Sequence, residues 1–143
     1  MRSAGHLSAF TGVLVLGLLA SCAAPAPKQD PTQGYAEALD AALANAEDPR
    51  AQLFLLDLAP HVGLLMSTAP ARYMPCFELA AGTPIELVAR LDVDGQVLET
   101  RLASATEGNR CFARQLRQEV LPHPPATDWW TRIYLEGREE PGF

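Results

Sequence analysis

The fold is decided by residues 84–103, PIELVARLDVDGQVLETRLA. Apolar residues alternate through residues 85–91, which is the two-residue period of a strand with one face in a core. Asp94-Gly95 is typical of a tight hairpin turn, and residues 96–103 then return as a second strand. The stretch therefore predicts a β-hairpin.

The returning strand contains two apolar residues of opposite parity, Val97 and Leu102. Side chains in a strand alternate between the two faces of the sheet. Either one of these residues is exposed, or the strand contains a bulge.

The residues after the hairpin predict a helix and a last strand. Thr106 and Asn109 are both suitable caps for the helix. Apolar residues at helical spacing should face inward and arginines outward. The inward set is Phe112, Ala113, Leu116 and Val120, and the outward set is Arg110, Arg114 and Arg117. A proline-rich run at residues 121–125 ends the helix, and residues 127–135 are dense in aromatic and β-branched types, which favours a strand.

Two helices are predicted before the hairpin. Small apolar residues recur with a helical period over residues 35–46. Asp48 and Pro49 fit the cap and first position of a second helix, which we expect to end near Pro60. Residues 60–75 are apolar but interrupted by proline and glycine, so we expect short helical turns and loop there. The element order predicts an α+β domain with a small antiparallel sheet of about three strands and a packed helix.

The N-terminus has the features of a bacterial lipoprotein signal. Arg2 precedes an apolar run, residues 7–20, that is short for a membrane span. The run closes on Leu19-Ala20-Ser21-Cys22, which resembles a lipobox and implies cleavage before Cys22 and lipidation of its thiol. An ordinary secretory signal and an uncleaved anchor helix are the alternatives. The residue after Cys22 is Ala23 and not aspartate, which resembles the default pattern of lipoproteins sorted to the outer membrane, so we expect a lipid-anchored protein on the periplasmic face of that membrane.

The rest of the chain fits one domain on a tether. We expect a signal peptide at residues 1–21, a proline- and alanine-rich tether at 22–33, one domain at 34–136 and a tail at 137–143. No second apolar stretch is expected to span a membrane.

Two further cysteines, Cys76 and Cys111, remain for the folded domain. The periplasm oxidises thiols, so we expect a disulfide between them. A redox-active pair or two free thiols are the alternatives.

The order strand, Asp-Gly turn, strand, helix, proline run, strand is similar to the C-terminal domain of TonB and its relatives, including the AgmX/PglI type. The residues that carry the resemblance are 91–97, 104–108, Cys111-Phe112, Leu116-Arg117 and 121–124. It implies a TonB C-terminal-like fold for residues 84–136, and it agrees with a disulfide because some relatives have a cysteine where Cys76 stands. Leu121 departs from the usual phenylalanine. A lipid anchor and a short tether do not suit an energy transducer, so only the fold is carried over.

The sequence offers no recognisable catalytic or metal-binding constellation. His61 and His123 lack partners at ligand spacing, and no nucleophile elbow surrounds Ser104 or Thr106. A net charge of −6 opposes nucleic acid as a partner. We predict a protein that is not an enzyme and needs no cofactor or metal.

Two features are candidate partner contacts. Arg110, Arg114 and Arg117 form a basic stripe, which is either a solvated helix face or a docking surface for an acidic partner or lipid headgroups. Trp129 and Trp130 are adjacent in a strand, so they point to opposite faces. One should enter the core, and the other is either covered by the N-terminal helices or a contact surface.

These features predict a non-catalytic binding or accessory subunit of a cell-envelope complex, with a periplasmic or outer-membrane protein as partner. Strand addition at the outer edge of the last strand is one way to dock, and a proline at Thr131 would block it if that amide points outward. The alternative is a pilotin-like or structural lipoprotein that uses its N-terminal helices to chaperone or scaffold an outer-membrane assembly.

Overall fold

The computed structural model describes residues 29–137. The predicted signal peptide, the lipidation site Cys22 and residues 22–28 of the tether lie outside the described residues, as do residues 138–143. The elements in chain order are α1 Tyr35–Ala46, α2 Ala51–Thr68, α3 Pro70–Ala80, β1 Ile85–Leu91, β2 Val97–Leu102, α4 Glu107–Leu116 and β3 Trp129–Leu135. The predicted α+β class is confirmed.

The sheet has three strands in the order β2-β1-β3, with β1 antiparallel to both neighbours. The pairing of β1 with β2 shifts after Arg90, and Leu91 pairs with Val97. Leu98 is thus the extra residue of a bulge. The bulge lets Val97 and Leu102 both pack against the main core. Of the two alternatives for this strand, the bulge is correct.

Helices cover both faces of the sheet. On one face α2, α3 and α4 form the main core, whose larger members are Phe54, Leu58, Tyr73, Ile85, Leu87, Leu91, Phe112, Leu116, Trp129 and Ile133. On the other face α1 places Ala38 and Ala42 against Val88. The alternating pattern predicted Val88 on the polar face of β1, but α1 covers that face and Val88 is fully buried.

The Asp-Gly turn requires glycine at Gly95. Its φ of 82° lies in the left-handed region, and a Cβ atom there would overlap the carbonyl group of Leu121. The Leu121 N–H donates to the Gly95 carbonyl at 2.9 Å. The Asp92 carboxylate accepts hydrogen bonds from the N–H groups of Asp94 and Gln96, both at 2.9 Å. The turn is therefore fixed locally and tied to the segment after α4.

The predicted bounds of the second helix are wrong at both ends. Helix α2 begins at Ala51 instead of Pro49, and it continues past Pro60 to Thr68. Proline removes one helical hydrogen bond, here the one that the carbonyl of Leu56 would accept. Leu56 lies on the exposed side of the helix, where water can replace that bond.

Helices α2 and α3 together occupy nearly all of the region where short helical turns and loop were predicted, and α3 fills its second part. Pro70 stands at its first position, where a missing N–H costs nothing. Pro75 lies inside the helix on an exposed side. Ala81 ends the helix in the left-handed conformation, with a φ of 49°. Both prolines are therefore compatible with a helix that continues to Ala80.

The elements near the C-terminus are shorter than predicted. Helix α4 ends at Leu116, and Val120 is 48% exposed instead of facing inward. Val120 instead forms an isolated bridge with Gln96. Strand β3 begins at Trp129, two residues later than expected.

Helix α2 has the length and composition of a membrane span, with 18 residues and a mean hydropathy of 1.2. We expected no membrane-spanning stretch besides the N-terminal one, but α2 meets the length and hydropathy criteria for such a span. Phe54, Leu58 and Val62 nevertheless place one side of α2 in the main core of the domain.

Candidate docking groove between β2 and α4

Helix α4 presents its three arginines to solvent, as the sequence predicts. The Thr106 hydroxyl caps the helix by accepting a hydrogen bond from the Asn109 N–H at 3.3 Å. The apolar side of α4 enters the main core. Arg110, Arg114 and Arg117 are therefore held on its outer side.

These arginines line a groove of about 280 Å³ between α4 and the outer edge of β2. The remaining lining residues are Pro31, Thr100, Leu102 and Ala113. The predicted basic stripe thus faces a strand edge instead of standing alone on a helix surface.

One arginine joins the two walls of the groove. Arg117 donates hydrogen bonds to the Thr100 hydroxyl from Nε at 3.1 Å and from Nη2 at 2.8 Å. Thr100 is only 5% exposed. Because the acceptor is neutral, the charge of Arg117 is not compensated by this contact.

The groove keeps an excess of positive charge. No ion pair among residues 29–137 involves Arg114 or Arg117, and Arg110 has only a long pair with Glu107 at 3.6 Å. Hydrogen bonds from the hydroxyl and N–H of Thr32 hold the pKa of the Asp30 carboxyl below its usual range, and the charge of Arg110 acts in the same direction. The Asp30 carboxylate thus lies within electrostatic range of Arg110 without forming an ion pair with it.

The outer edge of β2 has main-chain groups that face the groove. The Ala103 N–H donates to the Glu86 carbonyl at 3.1 Å, which places odd-numbered residues of this part of the strand toward β1. The main-chain N–H and C=O groups of Thr100 and Leu102 therefore point away from β1, although both side chains are buried. The Leu102 N–H donates to the Pro31 carbonyl at 3.0 Å. Within residues 29–137 the main-chain N–H and C=O of Thr100 have no hydrogen-bond partner.

Helix α1 contacts the outer edge of β3 at Trp130. The Asn45 side-chain amide donates to the Trp130 carbonyl at 2.9 Å, and α1 packs on the partly buried Trp130 ring. Trp129 lies in the main core, 4% exposed, with its ring centroid 6.2 Å from that of Phe54. Of the two alternatives for the outward tryptophan, the structure shows the one in which an N-terminal helix covers it.

The amide of Thr131 faces β1. The Trp130 carbonyl points outward to Asn45, so the alternation of an antiparallel ladder turns Thr131 inward, opposite Ala89. The Thr131 amide therefore does not point outward, and a proline there would disrupt the pairing of β3 with β1 instead of blocking the outer edge. Arg132 and Tyr134 are the residues whose main-chain groups point outward.

The sequence predicted the N-terminal helices as an alternative contact surface but did not identify the residues that form it. Three leucines share one exposed side of α2, and we call them the α2 leucine face: Leu53 76%, Leu56 64% and Leu64 58%. A signal for it exists in the sequence, since apolar residues occur on nearly every side of this helix, which is more than one buried stripe requires.

Helix α3 is joined to α4 and the residues just after it by polar contacts and by a cysteine pair, which stabilise the fold. The Tyr73 hydroxyl donates to Glu119 Oε1 at 3.0 Å, and Arg72 pairs with the same oxygen at 2.6 Å. Burial, followed by the hydrogen bond to Glu119, raises the pKa of Tyr73 to about 12. Cys76 and Cys111 lie at disulfide distance, with Cα atoms 5.2 Å apart, and join the same two helices.

The histidines do not converge. The His61 Nε2 atom lies 3.0 Å from the Val120 carbonyl oxygen, and His123 is exposed. Among the described residues no three histidine, cysteine or acidic side chains are placed to hold a metal ion.

Comparison with models of known protein families, with curated proteins and with solved structures finds no match to this chain.

Proposed function

We propose that this chain is a membrane-tethered, non-catalytic docking domain that serves as an accessory subunit of a cell-envelope complex. The observation that carries the proposal is the groove with its three arginines in a chain of net charge −6. An acidic protein repels an acidic partner everywhere except where cations are concentrated. This cationic groove therefore selects both the partner and its orientation.

The chemistry of the groove supports binding over catalysis. Its lining contains arginine, threonine and apolar residues, with no histidine, cysteine or pair of carboxylates. Arginine remains protonated at any physiological pH, so it suits recognition of carboxylates better than proton transfer.

The expected lipid on Cys22 would place the groove near a membrane. Because Pro31 is hydrogen-bonded to the edge of β2, the tether before the domain is residues 22–29, which reach on the order of 25 Å when extended. A partner on the periplasmic face of the outer membrane, or within that distance of it, is the one this geometry favours. The strand, strand, helix, strand order of residues 84–136 supports the proposed relationship to TonB C-terminal domains.

Capture of partners from detergent-solubilised envelope tests the docking function. Affinity-tagged full chain is compared with Arg114→Glu and with Arg50→Glu, a matched control whose side chain is exposed outside the groove. We expect the same proteins with the wild type and Arg50→Glu, and their loss with Arg114→Glu. Recovery of identical proteins with all three chains would contradict docking in the groove.

The α2 leucine face favours a second candidate, a pilotin-like or structural lipoprotein that chaperones or scaffolds an outer-membrane assembly. Exposed apolar surface of this kind is typical of protein contacts. The double change Leu53→Gln and Leu56→Gln tests it in the same capture. Loss of the bound proteins in this variant, with retention in Arg114→Glu, would favour the second candidate over the first.

A further inference from the structure

We propose that the partner enters the groove as an extended acidic segment that pairs with the outer edge of β2 at Thr100 and places its carboxylates against Arg110 and Arg114. The proposal rests on the proposed docking function. It adds the chemical class of the ligand and the way it binds.

The first argument is the main chain of β2. The main-chain N–H and C=O groups of Thr100 and Leu102 point away from β1. Residues two apart on a strand present these groups at the spacing that an incoming strand requires. The Leu102 N–H is already paired with Pro31. Thr100 is the next position along the edge, and its main-chain groups have no partner within residues 29–137.

The second argument is that the chain itself supplies an example of this contact. The Pro31 carbonyl accepts from the β2 edge, while the preceding residue, Asp30, lies close enough to Arg110 for its pKa to be affected. The first residue of a turn thus already bonds to the edge of β2, and the carboxylate next to it lies within electrostatic range of an arginine at the same end of the groove. A partner would repeat the combination one position further along, at Thr100 and Arg114.

The third argument is charge. Arg114 and Arg117 form no ion pair within the described part of the chain, and the pair of Arg110 with Glu107 is long, at 3.6 Å. Arginine binds a carboxylate through two parallel hydrogen bonds when the acid can reach its plane. Acidic side chains on one face of an added strand would reach these arginines. A lipid headgroup would use the charge but leave the main chain of Thr100 unpaired.

Binding of short peptides to the full chain in non-ionic detergent tests the proposal. The probe is a fluorescent acetylated and amidated peptide, Thr-Glu-Val-Glu-Val-Thr, and its control has glutamine in place of glutamate. We expect fluorescence anisotropy to show binding of the acidic peptide that is weakened about tenfold or more by Arg114→Glu and by the glutamine control. Arg50→Glu should bind as the wild type does.

Backbone methylation tests the pairing separately from the charge. Two versions of the probe carry N-methyl groups on alternate residues, one on each edge of the peptide, with all side chains unchanged. Only one edge of an added strand faces β2. We expect one version to lose about tenfold or more in affinity and the other to change little. The amide resonance of Thr100 should shift on binding in proton–nitrogen spectra.

The outcomes separate this proposal from the docking function. If both methylated probes bind as well as the parent while Arg114→Glu does not, the groove recognises charge alone, and strand pairing is overturned while docking stands. Strand pairing is also overturned, while docking stands, if no acidic peptide binds but capture of the partner still depends on Arg114. Binding seen only after removal of residues 138–143 would assign the groove to Glu139 and Glu140 of the chain's own tail and would also overturn the proposal.

Discussion

Arg117, the residue that caps the C-terminal end of α4, donates two hydrogen bonds to the Thr100 hydroxyl of β2, the shorter at 2.8 Å. The Thr100 side chain is therefore hydrogen-bonded to Arg117 on the α4 side of the groove. The main-chain N–H and C=O of Thr100 face the groove itself. Because both ends of the contact are fixed, the distance from the strand edge to the arginine helix is set before any ligand binds. Such preorganisation lowers the entropic cost of binding an extended segment.

Thr100→Val should weaken this link. Valine has the same shape but cannot accept the hydrogen bonds of Arg117, so we expect the free energy of unfolding to fall by about 1 kcal/mol. Urea denaturation of Thr100→Val, Arg117→Met and the double variant measures the coupling. Additive losses in the double variant would show that the contact contributes nothing to stability.

Gly95→Ala should be strongly destabilising. Alanine is unfavourable at a φ of 82°, and its Cβ would overlap the Leu121 carbonyl, so we expect a loss of about 2 kcal/mol or more. Gly63→Ala is the matched control, because no atom lies within 4 Å of a Cβ there and the residue is inside α2. That control should gain about 0.5 to 1 kcal/mol. Equal effects in thermal or urea unfolding would contradict the close approach at the turn.

The hairpin and the elements after it were predictable because their signals are local. Alternation over residues 85–91 and the Asp-Gly turn depend on neighbouring residues alone, and so does the separation of arginines from apolar residues on α4. The bulge was reachable as one of two alternatives, since it depends on the parity of Val97 and Leu102. The arginine stripe could be placed on one side of its helix because the spacing of residues along a helix is also a local signal.

The rest depends on contacts between distant parts of the chain. The burial of Val88 requires α1 to cover the second face of the sheet, which the pattern of β1 alone does not reveal. The helical region through Pro60 and Pro75 was missed because proline usually ends helices, whereas both residues stand on exposed sides where water replaces the lost bonds. The groove was missed because the sequence does not specify that the edge of β2 lies opposite α4.

Loss of the bond between Cys76 and Cys111 should destabilise the domain substantially. The two cysteines are 35 residues apart, and cross-linking a loop of that length is expected to contribute about 4 kcal/mol by restricting the unfolded chain. Urea unfolding with and without dithiothreitol measures it, with Cys76→Ala plus Cys111→Ala as the control for reduction. Two reactive thiols in freshly isolated native protein would show that the bond does not form.

Stability should decrease at high pH through Tyr73. Its pKa rises from 10.0 to about 12 on folding because of burial and then the hydrogen bond to Glu119, so the folded state favours the protonated hydroxyl. That contribution is complete below pH 10 and is lost as the pH rises toward 12. Tyr73→Phe should flatten this part of the profile in urea denaturation, whereas Tyr35→Phe should leave the Tyr73 part intact. An unchanged slope in Tyr73→Phe would exclude this residue as its source.

Cys22→Ser should remove the proposed membrane anchor. Without a thiol to lipidate, the chain should remain an uncleaved precursor or appear as a soluble form, and mass spectrometry of the isolated protein distinguishes both from a cleaved, lipid-modified N-terminus. Helix α2 is the other apolar segment to consider, but its Phe54 and Leu58 lie in the main core, so exposing them to lipid would unfold the domain. The variant Leu53→Gln plus Leu56→Gln is the control, since it makes the exposed side of α2 more polar and leaves Cys22 in place. Normal processing of Cys22→Ser together with its recovery in the outer-membrane fraction would show that attachment does not depend on this cysteine.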